Sequence, residues 1–443
     1  MITLTNEMLE AINIIENTNQ SLYITGKAGT GKTTFLRYIV TNIKKRFVIA
    51  ASTGIAAVNA GGVTLHSLFN IPFGVLVEGC DARTSYRPDK AALFNAVDAI
   101  IIDEISMVRP DTLDFVDRTL RMYRSTDEPF GGVQIIMFGD LFQLPPVVKK
   151  DEEHILLQFY RGPYFFYAQV FKEGGFKMIE LTHIFRQSDP KFIKILNDIR
   201  EYNMTDEDIE ELEALRNKSA SDNFDGQYVH LCSFRRDAQK INNEMLGAPT
   251  HVYKATLTGD FQPNAAPCDQ ELSLRVGARV MMLVNDPMHV YCNGSLGFIV
   301  GLSEEIVTVR LDNGCQVAVQ RAKWANKEYK MIGDKIETVE KGACEQFPIA
   351  LAWAVTIHKS QGLSLPYVVI HAKHVFAPGQ LYVALSRCIS IEGVAIDSFI
   401  TKKHILVDKA LLAFNKACQL NNNLFNRETI KLMRNENKII RNR

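Results

Sequence analysis

The chain has no net charge to speak of, only two tryptophans, and no cysteines at metal-binding spacing. Lys plus Arg and Asp plus Glu number 50 each over 443 residues, so a polyanionic partner must be held by a local track of cations rather than by the whole molecule. Its eight cysteines include no C-x-x-C pair, which leaves zinc ribbons and dithiol motifs without support and makes reduced thiols inside a cell the simplest reading. There is no run of ~18 apolar residues that could span a bilayer. Met1 to Glu7 also lacks the basic-then-apolar order of a signal peptide. A cytoplasmic protein without a membrane partner is expected. Internal repeats and low-complexity tracts are absent, and 47% apolar with 23% charged residues excludes wholesale disorder. The length points to several domains.

What is present begins at Gly26-Lys27-Ala28-Gly29-Thr30-Gly31-Lys32-Thr33, followed by Thr34. It fits G-x-x-x-x-G-K-[ST] at every defined position. Leu22 to Thr25 reads as a buried strand before it and Thr33 to Val40 as a helix after it. Unpaired N–H groups at the helix start then face a phosphate, and the glycines let the backbone close on it. Lys32 is expected at the β- and γ-phosphates of ATP and Thr33 on Mg²⁺.

Strands and helices alternate through the first half, as a parallel sheet requires. Phe47 to Ala51, Ala99 to Ile102 and Gln134 to Phe138 are apolar strands with polar residues at their C-terminal ends, where open α/β sheets bind ligands. Asp103 can hold Mg²⁺, Glu104 can deprotonate an attacking water, and Gln143 can sense the γ-phosphate. Pro110 can open a helix with Leu113, Val116, Leu120 and Tyr123 on one face. Pro and Gly between Asn70 and Asp98 break the alternation. A second α/β unit starts near Ile184, with a strand at Val229 to Ser233 and a helix at Arg236 to Leu246. Short strands follow from about Tyr253 to Cys344, including a hairpin turned by Asp312-Asn313-Gly314, and suggest a small β-barrel. The α/β pattern returns at Ile349 to Trp353 and Tyr367 to Ile370. Arg186 and Arg387 are candidates for an arginine finger.

These blocks, with Ala51-Ser52-Thr53-Gly54, Gly62-Val63-Thr64-Leu65-His66-Ser67, Gly139 to Pro146, Phe185-Arg186-Gln187, Thr356 to Gly362 and Ala384-Leu385-Ser386-Arg387, stand in the order of superfamily-one helicase motifs. Asp189 to Arg200 resembles the extra signature of the petite-integration-frequency (Pif) DNA helicases, and Leu274 to Met282 with Asn293 to Gly297 is similar too. The resemblance implies an α/β fold of two RecA-like P-loop domains, with a small wedge insertion in the first and an SH3-like β-barrel insertion in the second. Residues 1–183 would form the first domain with the insertion at 68–98. Residues 184–252 and 346–415 would form the second, 253–345 its insert and 416–443 a basic tail. It further implies ATP and Mg²⁺ as cofactors and 5′-to-3′ motion on single-stranded DNA, with unwinding of duplex or forked DNA in replication, repair, recombination or telomere maintenance. A mostly monomeric protein, nucleoid-associated if bacterial and able to dimerise on DNA, would follow. By position, Arg186 and Arg387 become trans-acting cations, and Gln361 and Gly362 cleft residues. Thr53, Gly54, Thr64, His66, Ser67, His358 and Lys359 become strand contacts. One departure is Met8, which stands where the family's adenine-reading glutamine is expected.

Blander readings accompany these. His66 can merely cap a turn. The aromatic run Tyr160, Tyr164, Phe165, Phe166, Tyr167 and Phe171 is expected in the core rather than stacked on bases. Residues 421–443 are expected to fray, or to make weak contact with DNA phosphates, rather than to form a DNA-binding arm, and 70–98 is either a wedge presenting Phe73, Val75, Leu76 or Tyr86 to a base pair, or a surface loop. The rival functions are a motor subunit of a recombination nuclease complex and a strand-coating ATPase.

Overall fold

Runs of isoleucine, valine and methionine that are apolar on both faces can only be buried on both faces, and such strands pair in parallel beneath helices. A computed structural model of the chain describes residues 3–441 apart from 73, 78–85, 174, 218–225, 264–265, 289, 334 and 422. In it β1 (Ser21–Gly26), β2 (Phe47–Ala51), β3 (Val63–Thr64), β4 (Ala99–Asp103), β5 (Gln134–Phe138) and β6 (Phe176–Leu181) form one parallel sheet in the order β6-β1-β5-β4-β2-β3. The short strand Leu424–Phe425 adds antiparallel to β6. The chain divides into two compact units: residues 1–185, 327–339 and 407–443 make the first, and 186–326 with 340–406 the second. Among the described residues no helix is long and apolar enough to cross a membrane.

Unit 1 carries the expected helices. The first, α1 (Asn6–Asn17), starts on the side chain of Thr5 and buries Met8, Ala11 and Ile15. Met8 therefore packs in the core beside Ala11 and Ile15. The second, α2 (Lys32–Asn42), follows left-handed Gly31. Further on, Pro110 opens the helix Pro110–Arg124, whose Leu113, Val116, Leu120 and Tyr123 are buried as the spacing required. The aromatic run is core as well, apart from half-buried Tyr167: Tyr160, Tyr164, Phe165, Phe166 and Phe171 are all buried.

Two expectations fail in unit 1. Residues 421–443 do not simply fray, because Leu424–Phe425 joins the sheet and Arg427–Arg441 is helical. Phe425 stacks on Phe171 with ring centroids 4.3 Å apart, and Phe414 of the helix Lys409–Leu420 stacks on Phe166 at 4.3 Å. Aromatic burial of this size outweighs the polar character of the flanking residues. The wedge fails in part. Val75, Leu76 and Val77 are buried, Asp111 accepts a hydrogen bond from the Leu76 N–H at 2.9 Å, and Arg109 donates to the Gly74 carbonyl at 2.6 Å. These residues are pinned to the body and cannot stack on DNA. Tyr86, 58% exposed, lies tilted on Tyr123 at 5.1 Å, while Phe73 and residues 78–85 lie outside the described residues.

Unit 2 has its own parallel sheet, ordered Ala354–Thr356, β7 (Val229–Cys232), Val368–Ile370, Val394–Ile396. Its β-rich part is a five-stranded antiparallel sheet from Gln316–Val319 through Val307–Leu311, Leu296–Leu302 and Arg279–Met282 to Ile349–Leu351. The turn uses Gly314 at φ 86°, as the Asp-Asn-Gly sequence indicated. Arg279 is fully buried, paired with Asp312 and set 4.7 Å over Phe298. Trp353 packs against the core of this antiparallel sheet.

Residues 327–339 of unit 1 are the tip of a long hairpin formed by Ala322–Ile332 and Lys335–Gln346. In unit 1 the Glu328 carboxylate meets the Lys90 ammonium at 2.9 Å with side chains only 9% and 2% exposed, and the Ile49 N–H donates to the Tyr329 hydroxyl at 3.3 Å. Removing one partner strands a buried charge, whereas replacing both removes the desolvation cost along with the attraction. Glu328→Ala should therefore destabilise unit 1 by ~3–5 kcal/mol in denaturant unfolding, and Lys90→Met with Glu328→Leu by much less. Equal losses in the single and double variants would contradict this.

Candidate active site

The register of the unit 1 sheet decides where its functional side chains meet. Ala51 at the end of β2 pairs with Asp103 and with Thr64, Ile24 pairs with Phe138, and Gly26 pairs with Leu181. The C-terminal ends of all six strands thus share one edge. From that edge emerge the loop Gly26 to Thr33, Thr53-Gly54, Thr64 to Ser67, Asp103-Glu104 and Gly139 to Gln143.

The glycine loop is shaped by close contacts. A Cβ on Gly26 would lie 2.7 Å from the Thr30 hydroxyl and 2.8 Å from the Leu181 carbonyl, and Gly29 and Gly31 hold φ of 83° and 79°. Only glycine tolerates these positions cheaply. The Thr30 hydroxyl donates to the Lys27 carbonyl at 2.9 Å, and the Phe185 N–H donates to the Gly29 carbonyl at 2.8 Å. Lys32 folds back, its Nζ donating to the carbonyls of Gly26 at 2.6 Å and Lys27 at 3.1 Å. An ammonium held by neutral carbonyls is ready to exchange them for phosphate oxygens. Thr33 and Thr34 occupy the first turn of α2, beside these N–H groups.

Asp103 is 6% exposed and its Oδ1 accepts the Glu104 N–H at 2.9 Å. Burial pushes its carboxyl up to about 6, against the pull of that hydrogen bond and of the Lys32 and Arg37 charges. Glu104 sits at φ 51°, a left-handed turn that lifts its side chain off the strand direction. Gly139 allows the β5 end to approach: a Cβ there would lie 2.9 Å from the Ile105 side chain. Asp140, fully buried, accepts the Phe142 N–H at 3.1 Å and the Gln143 amide at 3.4 Å, fixing Gln143 close to the same edge.

Thr53 and Thr64 are helix N-caps, accepting the Ala56 N–H at 3.2 Å and the Ser67 N–H at 3.1 Å. Their strands are neighbours, so Thr53-Gly54 and Thr64 to Ser67 form one rim, on which His66 and Ser67 are exposed.

Unit 2 groups the remaining candidates. Arg186 donates to the carbonyls of Ser386 at 3.0 Å and Gly362 at 3.4 Å. Arg387 is 1% exposed, with Nε on the Val383 carbonyl at 2.9 Å and Nη2 on the Ser386 hydroxyl at 2.8 Å. His358, Lys359, Gln361 and Gly362 (φ 82°) lie in the loop leaving Ala354–Thr356. Lys359 is exposed, and burial lowers the pKa of His358. Gln187, given no role above, bridges the Ser386 carbonyl at 3.1 Å and the Cys388 carbonyl at 2.9 Å. Its place next to Arg186 in Phe185-Arg186-Gln187 was the available signal. Asp140 also went unassigned, although its position one residue past Gly139 repeats that of a polar strand end.

Residues 3–210 match the PIF1-like helicase family. The chain is 32% identical over 428 residues to the ATP-dependent DNA helicase Pif1 of Bdellovibrio bacteriovorus, covering 94% of this chain and 92% of that protein. It spans about three fifths of the length of the vertebrate PIF1 helicases it also matches. Among solved structures, Pif1 from a Bacteroides species in complex with ADP-AlF4 is 48% identical with a TM-score of 0.91, over 96% of this chain and 99% of that one. Bacteroides Pif1 bound to ssDNA is 48% identical with a TM-score of 0.73, over the same shares. Full-length agreement with a bacterial member, together with the glycine loop, the Asp103-Glu104 strand end and the motif order, means that this chain belongs to the PIF1-like helicase family.

Proposed function

We propose that this chain is an ATP-dependent DNA helicase that hydrolyses ATP with Mg²⁺, moves 5′-to-3′ along single-stranded DNA and separates duplex or forked DNA. It works mainly as a monomer that a second copy can join on DNA. The observation that supports this most is the placement of the Lys32 ammonium and the buried Asp103 carboxylate at one sheet edge, close enough for their charges to interact. The two relatives of known structure named above were captured with ADP-AlF4 and with ssDNA, which favours the same two ligands here.

Each residue has a distinct task. Lys32 leaves the Gly26 and Lys27 carbonyls for the β- and γ-phosphates while the N–H groups of residues 26–34 cradle them. The donor set suits Mg²⁺, a hard cation: Asp103 offers a desolvated carboxylate with Oδ2 unbonded among the described residues, and Thr33 a hydroxyl. Bound there, the ion neutralises phosphate charge. Glu104 takes a proton from the attacking water, and Gln143 reports the γ-phosphate. Arg186, held by neutral carbonyls with no carboxylate partner among the described residues, supplies charge to the transition state, as does Arg387 after leaving its present acceptors. Gln361 and Gly362 line the nucleotide. Thr53, Gly54, Thr64, His66, Ser67, His358 and Lys359 contact the strand, mainly through its phosphates. We read the antiparallel sheet of unit 2 as the SH3-like insert.

Lys32→Ala should abolish DNA-stimulated hydrolysis while single-strand affinity by anisotropy stays within about twofold, since the lysine meets only nucleotide phosphates. Near-normal turnover would remove Lys32 from the site. Arg186→Ala should lower kcat by ~10³-fold with a smaller change in nucleotide affinity, the signature of an interaction made only in the transition state; equal loss in both would make Arg186 structural. The function itself is tested by strand displacement on 5′-tailed, 3′-tailed and forked duplexes. Unwinding of 5′-tailed and forked substrates that requires ATP is expected, and preference for a 3′ tail or ATP-independent separation would overturn the reading.

A further inference from the structure

Unit 1 has a cavity of about 130 Å³ that the nucleotide and strand residues do not use. It is lined by Phe159, Tyr160, Arg161, Phe166, Tyr167 and Gln169 on one side, and by Ile430, Met433 and Arg434 of the helix Arg427–Arg441 on the other. That helix starts directly after Leu424–Phe425, which pairs with Phe176 and Lys177 at the beginning of β6. The lining helix therefore leaves the sheet at its N-terminal edge, opposite to the edge that carries Lys32, Asp103 and Thr64.

The walls are selective. Phe166, Tyr160 and Met433 give a buried apolar floor, and Phe159 leaves 45% of its surface open at the rim. The cavity holds one aromatic ring and little more. Among the described residues its lining contains two guanidinium groups and no carboxylate, and neither Arg161 nor Arg434 has a hydrogen-bond or ion-pair partner there. Unpartnered forks of this kind match carboxylates in a bidentate fashion. A nucleic-acid strand fits less well, because it needs successive open aromatic faces along a basic groove, whereas here Phe166 and Tyr160 are buried.

We propose that this cavity is a docking site for the acidic C-terminal end of a protein partner, which inserts one aromatic side chain against Phe166, Tyr167 and Met433 and places its carboxylates on Arg161 and Arg434. An aromatic anchor in a desolvated pocket, with charged contacts at its rim, is the arrangement that concentrates binding energy at an interface. Recognition of this type joins Arg clusters reading acidic motifs to capture of a terminal carboxylate.

The test is a fluorescence anisotropy titration of the full chain into an N-terminally labelled peptide Asp-Glu-Asp-Gly-Phe with a free C-terminal carboxylate. Saturable binding is expected, weakened at least about tenfold by Arg161→Glu combined with Arg434→Glu at an unchanged thermal midpoint. Amidating the peptide or replacing its Phe by Ala should weaken binding to the unaltered chain similarly, which keeps the test decisive if the variant folds poorly. No saturable binding, binding indifferent to these changes, or displacement of the peptide by oligothymidine would overturn the proposal, the last by making the cavity a nucleic-acid site.

Discussion

Everything functional in unit 1 depends on the in-register parallel pairing of β1, β5, β4 and β2. Because Ile24 stands opposite Phe138 and Ala51 opposite Asp103, four strand ends finish level with one another. A slip of one residue in β4 would send Asp103 to the other face of the sheet and put its end out of step with Ala51. The central strands are buried along nearly their whole length, β4 from Ala99 to Asp103 and β5 from Gln134 to Phe138. The geometry of the candidate site is thus a consequence of how the apolar strands pair and pack.

That edge also sets the electrostatics. Asp103 is desolvated by burial, and Lys32 acts on it from the first position of α2, after a loop whose shape leaves no room for a side chain at Gly26. The Lys32 charge acts against the effect of burial on the carboxylate, while the ammonium itself donates to the carbonyls of Gly26 and Lys27. Burial and charge pairing oppose each other on Asp103, and burial is the larger influence. A cation arriving beside it would reverse that balance.

What was legible in the sequence was local. Strands such as Phe47–Ala51 and Gln134–Phe138 fall where an unbroken apolar run and its polar ends put them, and the glycine loop carries its own geometry. What was not legible depends on partners distant in sequence. Phe425 turns residues 421–443 into a strand and a helix because Phe171 waits about 250 residues earlier, a pairing that local polarity hides. Val75 and Leu76 read as candidates for a protruding wedge, and only Arg109 and Asp111 on a later segment reveal that this stretch is tied down. The buried pair of Lys90 with Glu328 likewise joins residues about 240 positions apart, which no local pattern announces. The burial of Arg387, with Nε on the Val383 carbonyl and Nη2 on the Ser386 hydroxyl, depends on the folded helix end and is not visible in the motif itself.

The central claim is that Lys32 and Asp103 act as one unit on the nucleotide. A double-mutant cycle on ATP turnover, with Lys32→Ala, Asp103→Asn and the two combined, addresses it directly, because residues that act together lose their effect together. The combined variant should be slower by little more than the worse single variant. Losses that multiply would mean independent roles and would contradict the account.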